Sequence, residues 1–392
     1  MSTSTRSWLV RCGRIASAVV LSSASLVGTA AAAADVEVLS LPPGWRSGTA
    51  EAINERGVVA GTAVAPEGMF HAVRWDRAGR VTDLGLVPGG GGYTRGYAIN
   101  NAGVVLGDAY TGNGYHAVRW DSAGRIEVLS TPQGGWVQPV AITDSGIATA
   151  TVYGTTAGTR GLVWDRAGRT TVLAPLPGGT YSEVRAISAD GAAVGLSNSS
   201  GSYYTQAVRW DRQGRPSAYP VLPGHVTASV QAVNEAGTAI GVSVPAEGPW
   251  HAVSWDRSGT ITDLGAFHTT GDLSAINRSG TIVGAFTGLD EPRRAFVIAR
   301  AGAMALLTIP SDTASSSAAD VNDRGEVVGG VYASGSYTGR PVWWDRRGRV
   351  ADLPALPGSE YAAAHRINNG GSIIGYATTT LDGYQAVVWH TR

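Results

Sequence analysis

One six-residue pattern recurs along this chain: any residue, then Ile or Val, Asn, two more residues and Gly. It begins at Ala52, Ala98, Ala141, Ala186, Ala232, Ala275, Asp320 and Arg366, with Thr143 and Ser188 replacing Asn in the third and fourth copies. Successive copies lie 43 to 46 residues apart. Eight units of that length leave no room for a second folded domain. A unit of this size cannot bury a core alone, so the chain must stack copies of one supersecondary element.

Each unit reads as four short strands. In the second these are YAIN (97–100), VVLGDAY (104–110), HAVRWD (116–121) and RIEVLS (125–130), rich in β-branched and aromatic residues and separated by polar or glycine clusters. Asn54-Glu55-Arg56-Gly57 joins strands one and two, and Asp76-Arg77-Ala78-Gly79 joins strands three and four. In both, a short polar side chain can accept backbone N–H bonds, and the glycine can take positive φ. The repeated Asn and Asp are therefore turn residues rather than metal ligands.

The ends show how the array closes. The last unit stops after a third strand, AVVWH (386–390), whereas VEVLSLPPG (36–44) matches the fourth-strand segment VTDLGLVPG (81–89). An N-terminal strand that completes the last unit implies a ring, which removes exposed edges. The expectation is an all-β, eight-bladed β-propeller of four-stranded blades. A longer period lies inside the shorter one: Trp75 and Trp255 are 180 residues apart, as are Trp164 and Trp344, and APEGMFHAV (65–73) is similar to PAEGPWHAV (245–253). The ring thus reads as a duplicated half of four blades, with unit one facing unit five.

The H-A-[VF]-x-W segments at His71, His116 and His251, each after the Asn-Gly turn and a glycine-rich second strand, resemble the bacterial extracellular HAF-repeat proteins across residues 36–392. Unit six departs, with Ile298-Ala299 where the repeat pattern has Trp-Asp, and units three, four, seven and eight lack the histidine. The resemblance implies secretion and a repeat fold. It carries no activity and no catalytic residue.

The N-terminus agrees with export. Arg6, Arg11 and Arg14 precede a mostly apolar Ile15–Val27, and Ala32-Ala33-Ala34 offers small residues for cleavage before Asp35. The expectation is a signal peptide over 1–34 and one propeller over 35–392, monomeric, extracellular and without an integral membrane segment after cleavage. The single cysteine, Cys12, lies inside the leader, so the mature chain has neither disulfides nor a thiol nucleophile. All 30 basic residues are arginines, balanced by 30 acidic ones. That neutral balance argues against a nucleic-acid partner.

HAVRWDRAGR (71–80) places His, Arg, Trp and Asp within ten residues, and it recurs as HAVRWDSAGR (116–125) and HAVSWDRSGT (251–260). On a strand its residues alternate between the two faces of a blade. Both faces pack in a propeller, so the tryptophans read as inter-blade core. The three histidines fall in different blades and do not converge on a metal, and no cofactor is expected. The stretch is scaffold.

Function is left to the face that carries the longer connections after strands two and four. Aromatics recur there beside glycine-rich segments. Trp45, Tyr93, Tyr115, Trp136, Tyr181, Trp250 and Tyr361 are the candidate binding residues, because flat rings stack on sugars or on apolar groups of a protein. Phe70, Tyr153, Tyr203, Tyr337 and Tyr384 add to the set. No G-x-S-x-G, H-E-x-x-H or P-loop is present. Loop carboxylates at Glu67, Glu183, Glu247, Asp272, Asp290, Glu291, Glu360 and Asp382 leave an acid–base pair in the funnel open. Three readings follow: a secreted, non-catalytic module binding glycan or protein, a carbohydrate-active hydrolase or lyase, and a structural cell-surface protein.

Overall fold

The structure is a computed structural model that describes residues 34–132, 135–200, 205–267, 270–288, 291–299, 302–336, 338–379 and 383–391. These residues form eight separate four-stranded antiparallel sheets and no helix. Blade 1 contains Ser47–Ile53, Val59–Val64, Phe70–Trp75 and Val81–Asp83, and each later blade repeats that order. In blade 8, Asp35–Val38 pairs antiparallel with Gly383–His390, so the N-terminal strand closes the ring as the sequence predicts. With eight blades, blades 1 and 5 stand opposite each other.

The turns follow the expected mechanism. In the Asn54 turn, the Gly57 N–H donates to the Asn54 carbonyl at 3.0 Å and Gly57 sits at φ 77°. Asn54 Oδ1 accepts the N–H groups of Arg56 and Val58. The asparagine has a second role that its turn position does not reveal. Its buried Nδ2 donates to the carbonyl of Asn100 in the next blade at 2.9 Å. Asn100 reaches Thr143, Asn234 reaches Asn277, Asn277 reaches Asn322, Asn322 reaches Asn368, and Asn368 returns to Asn54. A hydrogen-bonded circle therefore runs around one end of the axis. It is interrupted where Thr143 and Ser188 lack an amide donor.

The third strand links each blade to both neighbours. Seven tryptophans at one position are fully buried, and each donates its indole N–H to a carbonyl of the preceding blade's outer-strand segment at 2.6 to 2.9 Å, as in Trp75 to Ser40 and Trp120 to Leu84. The arginine one residue earlier points the other way. Arg74 donates to the carbonyls of Asp121 and Ser122 in the next blade, and Arg119 to those of Asp165 and Arg166. Trp and Arg thus bridge opposite faces of one blade, which is why the motif repeats. Blade 6 substitutes Ile298 for the tryptophan and fills the space with Phe267, Phe286 and Phe296, whose centroids lie 5.9 to 6.0 Å apart.

The first strand is longer than YAIN-type segments indicate: in blade 2 it runs Tyr93–Ile99. Its polar residues face the axis and break the apolar pattern on which strand recognition depends. Every first strand also carries a bulge two residues before the Ile or Val, at Glu51, Tyr97, Val140, Arg185, Gln231, Ser274, Ala319 and His365. Opposite it, a Cβ on Gly61 would lie 2.0 Å from the Thr49 carbonyl oxygen, and one on Gly107 would lie 1.9 Å from that of Arg95. The glycine of the second strand admits that close approach.

Candidate functional site

The first strand of each blade is the edge strand nearest the axis, and in most blades its residues alternate between buried and more exposed, whereas in blade 4 Ser182, Glu183 and Val184 are all buried. The buried ones pack between blades, and the half-buried ones face the channel. Counting back from the Ile or Val before each turn gives two aligned rows. Six residues back, at the end that carries the longer connections, stand Ser47, Tyr93, Trp136, Tyr181, Thr227, Thr270, Ser315 and Tyr361. Four residues back stand Thr49, Arg95, Gln138, Glu183, Ser229, Asp272, Ser317 and Ala363.

Four of the seven candidate binding residues therefore share one structural position. Tyr93, Trp136 and Tyr361 lie on the first strands themselves rather than on loops, and Tyr181 immediately precedes its strand. Tyr115 opens a third strand and joins the group through Tyr110. The rings extend one another. Trp136 stacks on Tyr153 with centroids 5.2 Å apart and planes 28° apart. Tyr93 stacks on Tyr110 at 6.2 Å and meets Phe70 of blade 1 edge-on at 6.4 Å. In blade 8, Tyr361, Tyr376 and Tyr384 form a similar group. Trp136 is 43% exposed, Phe70 45% and Tyr115 38%, so these rings retain open faces.

Trp45 and Trp250 do not join this group. Trp45 covers the end of its own blade, edge-on to His71 at 5.1 Å, and Trp250 packs against the core between blades 5 and 6. At the position of Trp45, blade 5 has His225, edge-on to His251 at 5.0 Å, so the duplicated halves preserve this contact. Tyr203 and Tyr337 lie outside the described residues, as do Asp290 and Asp382.

The histidines of the repeated motif are held locally. His71 Nδ1 lies 3.0 Å from Asp83 of the neighbouring strand, His251 Nδ1 lies 3.0 Å from Asp263, and His116 bonds Thr111. Among the described residues no group of three or more His, Cys, Asp or Glu side chains is arranged to hold a metal.

The row four residues back carries charges that sequence reading did not single out as a set. Arg95 meets the fully buried Asp108 through two bonds, Nη2 to Oδ2 at 2.6 Å and Nε to Oδ1 at 3.1 Å. Burial pushes the Asp108 carboxyl up, and Arg95 opposes that rise. The Arg95 guanidinium also lies 4.8 Å from the centre of the Tyr93 ring, a cation–π contact. In blade 4, Glu183 accepts from the Tyr181 hydroxyl and pairs with Arg185. Asp272 pairs with Arg293 at 2.5 Å. Burial, then the bond to Glu183, raises the Tyr181 phenol, and burial together with Tyr376 pushes Tyr361 up to about 12. These phenols stay protonated and act as neutral donors and acceptors. Arg95, Arg185 and Tyr97 were legible only by their fixed distance from the Asn-Gly turn.

The other end of the channel gathers charged side chains. Glu55 of blade 1 and Glu235 of blade 5, on opposite sides of the ring, line one recess of about 230 Å³ with Arg278 and Asp323. Burial, and the like charges of Asp323 and Glu235, raise the Glu55 carboxyl.

No protein-family model matches the chain, and no curated protein matches it. Among solved structures it is similar to an oligogalacturonate lyase in complex with manganese, 12% identical with a TM-score of 0.50 over 93% of this chain and 95% of that one. A prolyl endopeptidase and a puromycin hydrolase match at 12% identity, with TM-scores of 0.53 and 0.51 over 74% and 88% of this chain. The chain spans about half the length of these last two, 49% and 53%. At such identities the likeness is one of fold: the chain is a β-propeller. No helix among the described residues is long and apolar enough to cross a membrane.

Proposed function

We propose that this protein is a secreted, non-catalytic propeller of the HAF-repeat type, and that it binds a glycan at the aromatic end of its central channel. The observation that carries the reading is the placement of Tyr93, Trp136, Tyr181 and Tyr361 in one row around the channel mouth, with Trp136 and Tyr93 each backed by a stacked partner ring. Rigid rings on a rigid frame give sugar faces a preorganised platform. Acid–base hydrolysis is the less favoured reading. Glu183 is bonded to Tyr181 and Arg185, and Asp272 to Arg293, so neither stands as a free acid or base. Export is supported by the basic, apolar and small-residue succession of the N-terminus.

Co-sedimentation with insoluble chitin, cellulose, peptidoglycan and whole bacterial cell wall tests the reading, with a Trp136→Ala, Tyr181→Ala double variant alongside. Retention on a polysaccharide that the variant loses supports it. No retention on any of the four overturns the glycan reading and turns the search toward protein partners.

A further inference from the structure

The two halves of the ring share a scaffold but differ at the channel. Residues that correspond through the 180-residue period face each other across the axis, and several pairs are unequal: Tyr93 and Thr270, Trp136 and Ser315, Arg95 and Asp272, Glu183 and Ala363, Tyr97 and Ser274, whereas Tyr181 and Tyr361 match. In the row six residues back, large aromatic side chains occupy blades 2 to 4, and small hydroxyl side chains occupy blades 5 to 7. Blade 8 returns Tyr361 to the arc, beside a recess of about 170 Å³ that it shares with Ser317 and Ala319. A duplicated scaffold would offer two equal sites, but this lining offers one.

The lining also selects by charge. Of the charged residues at the bulge positions and in the row four residues back, Arg95 is neutralised by Asp108, Glu183 by Arg185 and Asp272 by Arg293. The remaining one, Glu51, is itself an anion. Recognition of a carboxylated chain needs free guanidinium forks. A neutral chain needs apolar ring faces, and hydroxyl and amide groups such as those of Tyr93, Tyr181 and Gln138. Arg46, Arg160 and Arg366 stand outside these rows; Arg160 donates to the carbonyls of Thr159 and Thr180, and Arg366 to that of His365. Resting on the glycan reading above, we infer that the channel mouth takes a single neutral pyranose chain, held against the blade 2 to 4 side with Trp136 as its main platform. An acidic uronate chain is not its ligand.

Isothermal titration of the full protein with cello-, xylo- and chito-hexamers, and with an oligogalacturonate hexamer, tests this. The expected result is one neutral hexamer per protein, with an affinity that changes less than about twofold on raising salt from low to high concentration. Trp136→Ala should weaken it by about tenfold or more, an effect in the range of a lost ring-stacking contact, and Trp136→Phe should restore part of it. Thr270→Ala and Ser315→Ala should bind as the parent does. Tighter binding of the oligogalacturonate hexamer overturns the neutral-chain inference and leaves a glycan site standing. Two chains per protein overturn its one-sidedness. No binding by any hexamer, with circular dichroism confirming the fold, overturns both this inference and the reading beneath it.

Discussion

The side-chain amide of Asn368 donates to the backbone carbonyl of Asn54 at 3.0 Å, joining the last blade to the first across 314 residues of sequence. The same bond links successive blades wherever asparagine holds the turn, and each of these asparagines also accepts backbone N–H groups of its own turn.

Loss of one such asparagine should therefore cost more than loss of the residues that replace it. Asn54→Ala removes two turn bonds and the bridge to Asn100, a loss of about 1–3 kcal/mol. Thr143→Ala breaks no bridge and should cost less. Thr143→Asn supplies a donor toward the Ser188 carbonyl and should stabilise by about 0.5–1.5 kcal/mol. Chemical denaturation midpoints of the three variants give the order directly. An unchanged midpoint for Thr143→Asn would mean that the interruption is not an unmade bond.

Trp210→Phe should destabilise by about 1–3 kcal/mol, because it thins the interface and leaves the Ala174 carbonyl without its indole donor. The opposite change in blade 6 should fail. Ile298→Trp restores the repeat consensus but meets a space already filled by Phe267, Phe286 and Phe296, and overpacking costs about 1–3 kcal/mol. Thermal denaturation checks both, and a gain in stability for Ile298→Trp would show that the phenylalanine cluster leaves unfilled space.

Deletion of Asp35–Val38 exposes the edge of Gly383–His390 and should promote self-association. Size-exclusion chromatography of the shortened chain should show oligomers or aggregates. A monomer as stable as the parent would show that the closing strand is dispensable.

His365 donates Nε2–H to the Ala50 carbonyl of blade 1 at 2.7 Å, and burial first, then the nearby Arg366 charge, lowers its pKa from 6.5 to about 4. The unfolded chain therefore takes up a proton at a pH where the folded chain does not. The stability this histidine contributes is present above pH 6.5 and is lost as pH falls toward about 4, a change of roughly 2–3 kcal/mol. His365→Gln should flatten the stability profile in that window while leaving the profile above pH 7 parallel to that of the parent. Profiles that stay parallel throughout the window would remove His365 as the cause.

The blades, their turns and the strand that closes the ring were legible because their residues obey local rules. Asn54 and Gly57 fit one turn geometry, and Trp75 fits one packed position. The first strands were cut short because Thr49, Arg95 and Gln138 are polar where they face the channel. The asparagine bridges were hidden because a turn asparagine and a bridging one look alike in sequence. At the site, Tyr93, Trp136, Tyr181 and Tyr361 were each visible as aromatics, but only the shared register of the first strands groups them and sets Trp45 and Trp250 apart. The ion pair of Arg95 with Asp108 crosses two strands, and spacing alone did not announce it.

Indole N–H nuclear magnetic resonance of the tryptophan-labelled protein, titrated with the neutral hexamers, observes the proposed platform itself. Seven tryptophans are buried and hydrogen-bonded between blades, whereas Trp136 is exposed at the channel mouth. The Trp136 resonance, assigned by its absence in Trp136→Phe, should shift on addition of a neutral chain while those seven stay in place. A Trp136 resonance that none of the hexamers moves would contradict that platform.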